Sequence, residues 1–273
     1  MPIRQRFDIE GVEAVRVGRL NTGINTTFVL YRIGTTLIDT GPSNQWRAVR
    51  RFVDEKPPKQ LVITHHHEDH SANGSRLAKR YGVKPWAPRL TQDKLKRGYK
   101  TPPVQRWVWG SPIPVDTEPF PDRIALEDGS GLVPVHTPGH AKDHHCLFWP
   151  EHRRIFTGDL FLARSLTYMR IDENLQQLMS SIIQVLKLDF ETILCSHRGI
   201  VENGPDALRE KLSYLKQLCI DARQLQEQGI PEPQAVERLL GPEDMFSKLS
   251  FYNISKRNLY REAARVKLDE LPD

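Results

Sequence analysis

The sequence is poor in the features that mark several large protein classes. Its three cysteines, Cys146, Cys195 and Cys219, are odd in number, widely spaced and without a C-x-x-C pair. This gives neither a disulfide framework nor a thiolate zinc site, and it suits a reducing compartment. No stretch approaches the roughly 20 apolar residues that a spanning helix requires. The opening MPIRQRFDIEGVEAVRVGRL lacks the apolar core of a secretory signal. The expectation is a cytoplasmic protein with no membrane partner. Neither sign of charge dominates, because 39 basic residues are largely interleaved with 34 acidic ones for a net +5. Attraction to anionic substrates is allowed, but a nucleic-acid partner is not favoured. There is no internal repeat and no low-complexity tract, so repeat arrays are excluded.

What is present suffices for a substantial core: 38% of 273 residues are hydrophobic, enough for one large domain plus an appendage. Residues 14–19, 26–33 and 35–39 are rich in Val, Ile, Thr and Phe and are punctuated by Asn21, Gly23 and Gly34. They read as an opening β-meander. The pattern then predicts a helix over 44–52, a buried strand over 60–64 and a helix over 76–81 ended by Gly82. Strands are expected at 132–137, 146–149, 154–157 and 192–195. Leu175, Leu178, Met179, Ile182, Ile183 and Leu186 form one apolar helical stripe. From about residue 205 the strand signals stop, and Leu208, Leu212, Leu215, Cys219, Ala222 and Leu225 line a helical face closed by Gly229 and Pro231. Residues 98–122 carry six prolines and two tryptophans without periodicity and read as a long ordered loop.

The strongest chemical signal is Thr64-His65-His66-His67-Glu68-Asp69-His70, directly after an apolar strand. Alternate residues of an extended segment point the same way. His65 and His67 can therefore face one metal while the following turn swings Asp69 and His70 toward another. His66 falls on the opposite face and reads as a non-ligand. Further polar residues recur just after strands: His140 in His136-Thr137-Pro138-Gly139-His140, Asp159 in Phe156-Thr157-Gly158-Asp159, and His197 in Ser196-His197-Arg198-Gly199. Imidazoles and carboxylates without thiolate suit zinc, manganese or iron.

In order and spacing, THHHEDH, TPGH, FTGD and SHRG resemble the metallo-β-lactamase superfamily, specifically its glyoxalase II-like branch, over roughly residues 14–200. The resemblance implies an α+β fold, a four-layered αβ/βα sandwich with two mixed sheets face to face and the metals at one edge. It gives a catalytic domain over 1–204 and a C-terminal helical extension over 205–273. It implies two divalent ions, zinc above manganese or iron. His65, His67 and His140 would hold the first, Asp69, His70 and His197 the second, and Asp159 both. Asp39 of Leu37-Ile38-Asp39-Thr40-Gly41 would support the site by hydrogen bonds, and so would His144 in the related Pro-Gly-His-x-x-Asp-His pattern.

Two such ions about 3.5–4 Å apart lower the pKa of a bridging water toward neutrality, so no side-chain nucleophile is needed. Asp69 would be the catalytic carboxylate that orients the resulting hydroxide. The implied activity is hydrolysis of a small-molecule thioester, ester or lactone. Three rivals stand beside it: a phosphodiesterase or ribonuclease on the same centre, a mononuclear-iron persulfide dioxygenase, and a non-catalytic binding module. Trp107 and Trp109 are candidates for a lid over the substrate, or for plain burial against the sandwich. Tyr168, Arg170 and Arg198 are candidate substrate contacts, each also readable as a structural or solvated group. The runs Lys94-x-Lys96-Arg97 and Lys256-Arg257…Arg261…Arg265-x-Lys267 could meet phosphates or be solvated helix faces. The glutathione-binding basic and tyrosine residues of glyoxalase II are not recognisable in the tail.

Overall fold

The computed structural model of the chain describes residues 3–20 and 26–272. Asn21 and Gly23, the expected turn residues, lie outside that range. Strands β1 (Gln5–Ile9), β2 (Val12–Val17), β3 (Phe28–Ile33) and β4 (Thr36–Ile38) form the antiparallel meander. β5 (Gln60–Val62), β6 (Trp86–Ala87) and β7 (Glu118–Pro119) extend it in parallel to a seven-stranded sheet. A second sheet has the order β14-β13-β11-β10-β9-β8, built from β8 (Ile124–Ala125), β9 (Gly131–His136), β10 (His145–Trp149), β11 (Arg154–Gly158), β13 (Thr192–Cys195) and β14 (Gly199–Val201). Its one parallel pair is β11 with β13. A short ribbon pairs β12 (Met169–Arg170) with β15 (Ile254–Ser255).

Period-two alternation explains the layering. Along β3, Val29, Tyr31 and Ile33 point into a core shared with Leu132, Leu147, Trp149, Phe156 and Leu194 of the second sheet. Phe28 and Leu30 point the other way, onto Val49, Phe52 and Val53 of α1 (Trp46–Glu55) and Leu77 of α3 (Gly74–Tyr81). β3 is therefore buried on both faces, each large side chain contributing roughly 1.5–3 kcal/mol. The outer face of the second sheet packs through Cys146, Ile155, Ile193 and Cys195 on α6 (Leu175–Leu186) and α7 (Gly204–Glu227). The chain thus has the expected α+β architecture of two mixed sheets between helices.

The helix expected over 76–81 begins at Gly74 and ends at Gly82, whose φ of 68° is left-handed and whose N–H reaches Ala78 O. Two expectations need correcting. Residues 98–122 are not a plain loop, since they contain α5 (Pro103–Trp109) and β7. Pro102 and Pro103 sit where a helix tolerates missing N–H groups, so the prolines that argued against structure start it. The tail is also not purely helical: beside α8 (Glu232–Leu240), α9 (Met245–Leu249) and α10 (Lys256–Arg265) it supplies β15. Two residues are too few for alternation to register. The remaining helices are α2 (Glu68–Ser71), inside the histidine motif, and α4 (Arg89–Arg97). No helix among the described residues is long and apolar enough to cross a membrane.

Candidate metal centre

Strand ends deliver the polar residues to one edge of the sandwich. Asp39 follows β4, the histidine motif follows β5, His140 follows β9, Asp159 follows β11 and His197 follows β13. Two glycines show how tightly this edge is built. Before Asp159, Gly158 has φ 47°, and a Cβ there would lie 2.6 Å from His144 Nε2. Before His140, Gly139 has φ 135°, and a Cβ would lie 2.4 Å from Leu178 N. A larger residue would collide with the His144 ring at the first position and with the Leu178 backbone at the second.

The structure brings the expected donors into two groups that share Asp159: His65, His67, His140 and Asp159, and Asp69, His70, Asp159 and His197. Within each, the donor atoms lie within 4.8 Å of one another. In the first, His67 Nδ1 is 3.0 Å from His65 Nε2 and 2.9 Å from His140 Nε2, which is 3.1 Å from Asp159 Oδ2. In the second, Asp159 Oδ1 is 3.1 Å from His70 Nε2 and 3.3 Å from His197 Nε2, and Asp69 Oδ2 is 3.2 Å from His197 Nε2.

Around this cluster, acceptors fix the opposite ring nitrogens. His70 Nδ1 meets Asp39 Oδ2 at 2.7 Å, His197 Nδ1 meets Thr27 O at 2.8 Å, and His140 Nδ1 meets Glu173 Oε1 at 2.5 Å. Those nitrogens must carry the hydrogen, so once the rings are neutral it is the inward nitrogens that present lone pairs. Nitrogens and carboxylate oxygens converging in a buried space call for positive charge between them, supplied by protons or a metal, and the donor set fits one or two divalent metals. His67 Nε2, by contrast, is buried without a partner.

Charge reinforces the fit. Burial pushes the His65 and His67 rings well below their usual range and keeps them neutral. Burial also opposes protonation of His70 and His197, but Asp39, Asp159 and Asp69 outweigh it at His70, and Asp159 and Asp69 do so at His197, holding both well above the usual value. At His140 the carboxylates of Asp159 and Glu173 overcome burial and raise the ring to about 9. Burial would raise Asp159, but the facing histidines hold it well below the carboxylate range. Protons there occupy positions a metal would take, so metal binding must displace them.

Supporting residues are placed as follows. Asp39 adopts a left-handed φ of 61°, rare outside glycine, and accepts from Thr64 N and Oγ1 as well as His70. His144 is clamped by Thr137 O through Nδ1 and accepts the Asp159 N–H at Nε2, 3.0 Å away, while burial lowers its pKa to about 3. His66 turns away, as expected, to Asp143 Oδ1 at 2.8 Å and Lys94 Nζ at 2.5 Å. Sequence reasoning missed Glu173, which follows no motif and reaches His140 only through the turn before α6. It also assigned nothing to Glu68, whose carboxyl burial and then Asp69 push up to about 7.

Among the candidate substrate contacts, Trp109 is buried with its ring centroid 5.8 Å from that of His197, whereas Trp107 is exposed. Phe28 adds an apolar edge 4.8 Å from His70. Tyr168 donates its hydroxyl to Asp244 and is committed there. Arg198 is exposed, and its backbone carbonyl accepts from Arg16. Arg170 is largely buried and paired with Asp172, with Glu68 and Glu173 also raising its pKa against burial. The basic tail is locally neutralised: Arg257 and Arg261 pair with Glu232, Arg265 with Glu262, and Lys267 with Glu270.

The Lactamase_B family model, described as the metallo-beta-lactamase superfamily, matches residues 21–197, a span that holds every donor above. The chain belongs to the metallo-beta-lactamase superfamily. Among superfamily relatives it is 29% identical over 196 residues to the lactamase-like protein aptB of Emericella nidulans, covering 70% of this chain and 56% of that protein. It is 25% identical over 198 residues to an atrochrysone carboxyl ACP thioesterase of Aspergillus fumigatus, covering 70% and 55%. The chain spans just over half the length of these curated relatives. Among solved structures, a beta-lactamase domain protein from Burkholderia ambifaria has a TM-score of 0.74 at 15% identity, covering 95% and 88% of the two chains. A metallo-beta-lactamase family protein from Thermus thermophilus has 0.69 at 17%, covering 94% of each. At these identities the structural likeness concerns the fold.

Proposed function

We propose that this superfamily member is a dinuclear metal-dependent hydrolase of a thioester, with esters and lactones as the neighbouring substrate classes. The observation that carries the reading is the convergence of lone pairs and carboxylates in two groups around Asp159, with no thiolate among them. Such a set suits zinc first, and manganese or iron after it. Two bound divalent ions would lower the pKa of a shared water and polarise the scissile carbonyl. The chain's own residues do the rest. Asp69 orients the attacking water, Asp39 and Glu173 hold His70 and His140 in register, and Phe28 and Trp109 wall the cluster from solvent. Residues 1–204 carry the chemistry in this reading, and 205–273 shape what reaches it.

The thioester preference draws on the thioesterase name of the Aspergillus fumigatus relative. The phosphodiester alternative needs free basic charge for phosphates, and Arg257, Arg261, Arg265 and Lys267 of the tail's basic run are already paired with carboxylates. The test is elemental analysis beside a panel of thioesters, lactones, esters and bis-p-nitrophenyl phosphate, with Asp159→Ala as control. Two metals per chain and mutant-sensitive thioester cleavage are expected. Preferential phosphodiester cleavage, one iron per chain with oxygen uptake on a persulfide, or metal without turnover would each replace the reading by the corresponding rival.

A further inference from the structure

The apolar alternation of β2 is broken at Arg16. Val12 and Ala14 point into the core between the sheets, Val15 and Val17 point toward α1, and Arg16 continues the inward row of Val12 and Ala14. That row otherwise holds apolar side chains, and a guanidinium placed in it loses hydration. No carboxylate among the described residues pairs with it, and burial pulls its pKa below the ordinary value. A half-buried charge without a counter-ion needs hydrogen bonds that offset the lost water.

The bonds it makes go to the surroundings of His197. Arg16 Nη1 donates to His197 O at 2.6 Å and to Thr27 Oγ1 at 3.0 Å, and Nη2 donates to Arg198 O at 2.9 Å. The Phe7 ring lies against the guanidinium, its centroid 5.5 Å away. Thr27 is the residue whose carbonyl accepts the His197 Nδ1 hydrogen at 2.8 Å. One side chain thus grips both the donor residue and the partner that orients its ring.

The local chain path explains the need for such a grip. Cys195 and Gly199 pair across the β13–β14 hairpin, so Ser196, His197 and Arg198 form its turn. Turn carbonyls have no ladder partner of their own. Here all three are met from the first sheet, Ser196 O by Val29 N at 2.6 Å and the other two by Arg16. In the second donor group, Asp69 and His70 follow β5 of the first sheet, whereas His197 follows β13 of the second. Their approach therefore depends on bonds that cross between the sheets, and Arg16 supplies two of these at the turn itself.

We infer that Arg16 is a positioning residue for the second donor group: it locks the β13–β14 turn onto β2 and β3, and through Thr27 it fixes the direction in which the His197 ring presents Nε2. The inference rests on the metal-binding reading of that group. Lysine cannot take over this role, because an ammonium lacks the planar fork that reaches two carbonyls and a hydroxyl in set directions.

The test has a metal-free and a metal-loaded arm, run on the full chain with Arg16→Lys and Arg16→Gln. In metal-free protein, imidazole proton–nitrogen correlation spectra read each ring directly. The His197 signals should shift or broaden in both variants while those of His65 and His140 stay. In zinc titrations with a chromophoric chelator, the second group should weaken by roughly 10–100-fold and the first should keep its affinity. Arg16→Lys should fall nearer to Arg16→Gln than to wild type, and it carries the same comparison if Arg16→Gln fails to fold. An unperturbed His197 ring in the variants would overturn the inference, as would full recovery in Arg16→Lys. So would equal weakening of both groups, since Arg16 would then support the fold as a whole. A wild type that binds fewer than two metals, with the His197 ring still displaced in the variants, sinks only the dinuclear reading. Two metals bound by wild type and variants alike, with an undisturbed ring, sink only the role of Arg16.

Discussion

The two donor groups share Asp159 yet differ in charge and in what protons do to them. The first has three imidazoles and one carboxylate, and the second two imidazoles and two carboxylates. Burial leaves His65 and His67 neutral, whereas carboxylates keep both imidazoles of the second group protonated well above the usual histidine range. The first group is therefore largely prepared for a metal, with only His140 carrying a raised pKa. The second would have to exchange protons for any metal it takes up. The same carboxylates that would strengthen binding also make it sensitive to pH.

The largest effect should come from removing what the groups share. Asp159→Ala should lower metal content below one per chain and cut hydrolysis by roughly a thousandfold or more, because several kcal/mol of charge stabilisation go with the metals. Retention of both metals would break the description of Asp159 as common donor.

Next comes the difference between the groups. Raised pKa values mean that protons occupy the second group to higher pH, so its metal affinity should fall as pH falls, and from a higher starting pH than that of the first. Zinc titrations with a chromophoric chelator at pH 8 and pH 6 should show two sites diverging, and the diverging site should vanish in Asp69→Ala but persist in His67→Ala. Parallel weakening of both sites would refute the comparison.

A smaller effect is expected from the outer hydrogen bonds. Glu173→Gln should weaken metal binding in the first group by roughly 10–100-fold, and Asp39→Asn should do the same in the second. Equal effects of either variant on both sites would mean that ring orientation is not held locally.

Lys211 should affect the cluster least. Its buried ammonium bonds Leu160 O, just past Asp159, and burial lowers its pKa to about 8 from the ordinary 10.5. Between those values the unfolded chain binds a proton that the folded chain releases, so stability should rise with pH across that window, by up to about 3 kcal/mol. Lys211→Met should remove this slope in thermal melts while leaving metal affinity unchanged. A persistent slope would move the titration elsewhere.

The features legible in the sequence were those carried by short-range pattern. The motif after β5 specified alternate His65 and His67 on one face and His66 on the other, and the structure has His66 bonded to Asp143 instead. The strands were legible because β-branched runs bounded by turns leave few alternatives. α5 was not, since its prolines mark a helix start as readily as a loop and its seven residues give barely two turns of periodicity. Tyr168 and Arg198 were placed near the cluster by distance along the chain alone. The fold commits the Tyr168 hydroxyl to Asp244 and leaves the Arg198 side chain in solvent.

By itself, the sequence determined the kind of chemistry and the sandwich. Imidazole and carboxylate spacing, apolar alternation and the glycines before His140 and Asp159 are local properties that the chain states outright. Only the tertiary structure decided which ring nitrogen faces inward, that Glu173 holds His140, that one carboxylate joins two groups, and that Arg16 ties the turn around His197 to the opposite sheet. Those relations join residues tens to more than a hundred positions apart, or depend on which hydrogen bond fixes a ring, and neither leaves a periodic trace in a single sequence.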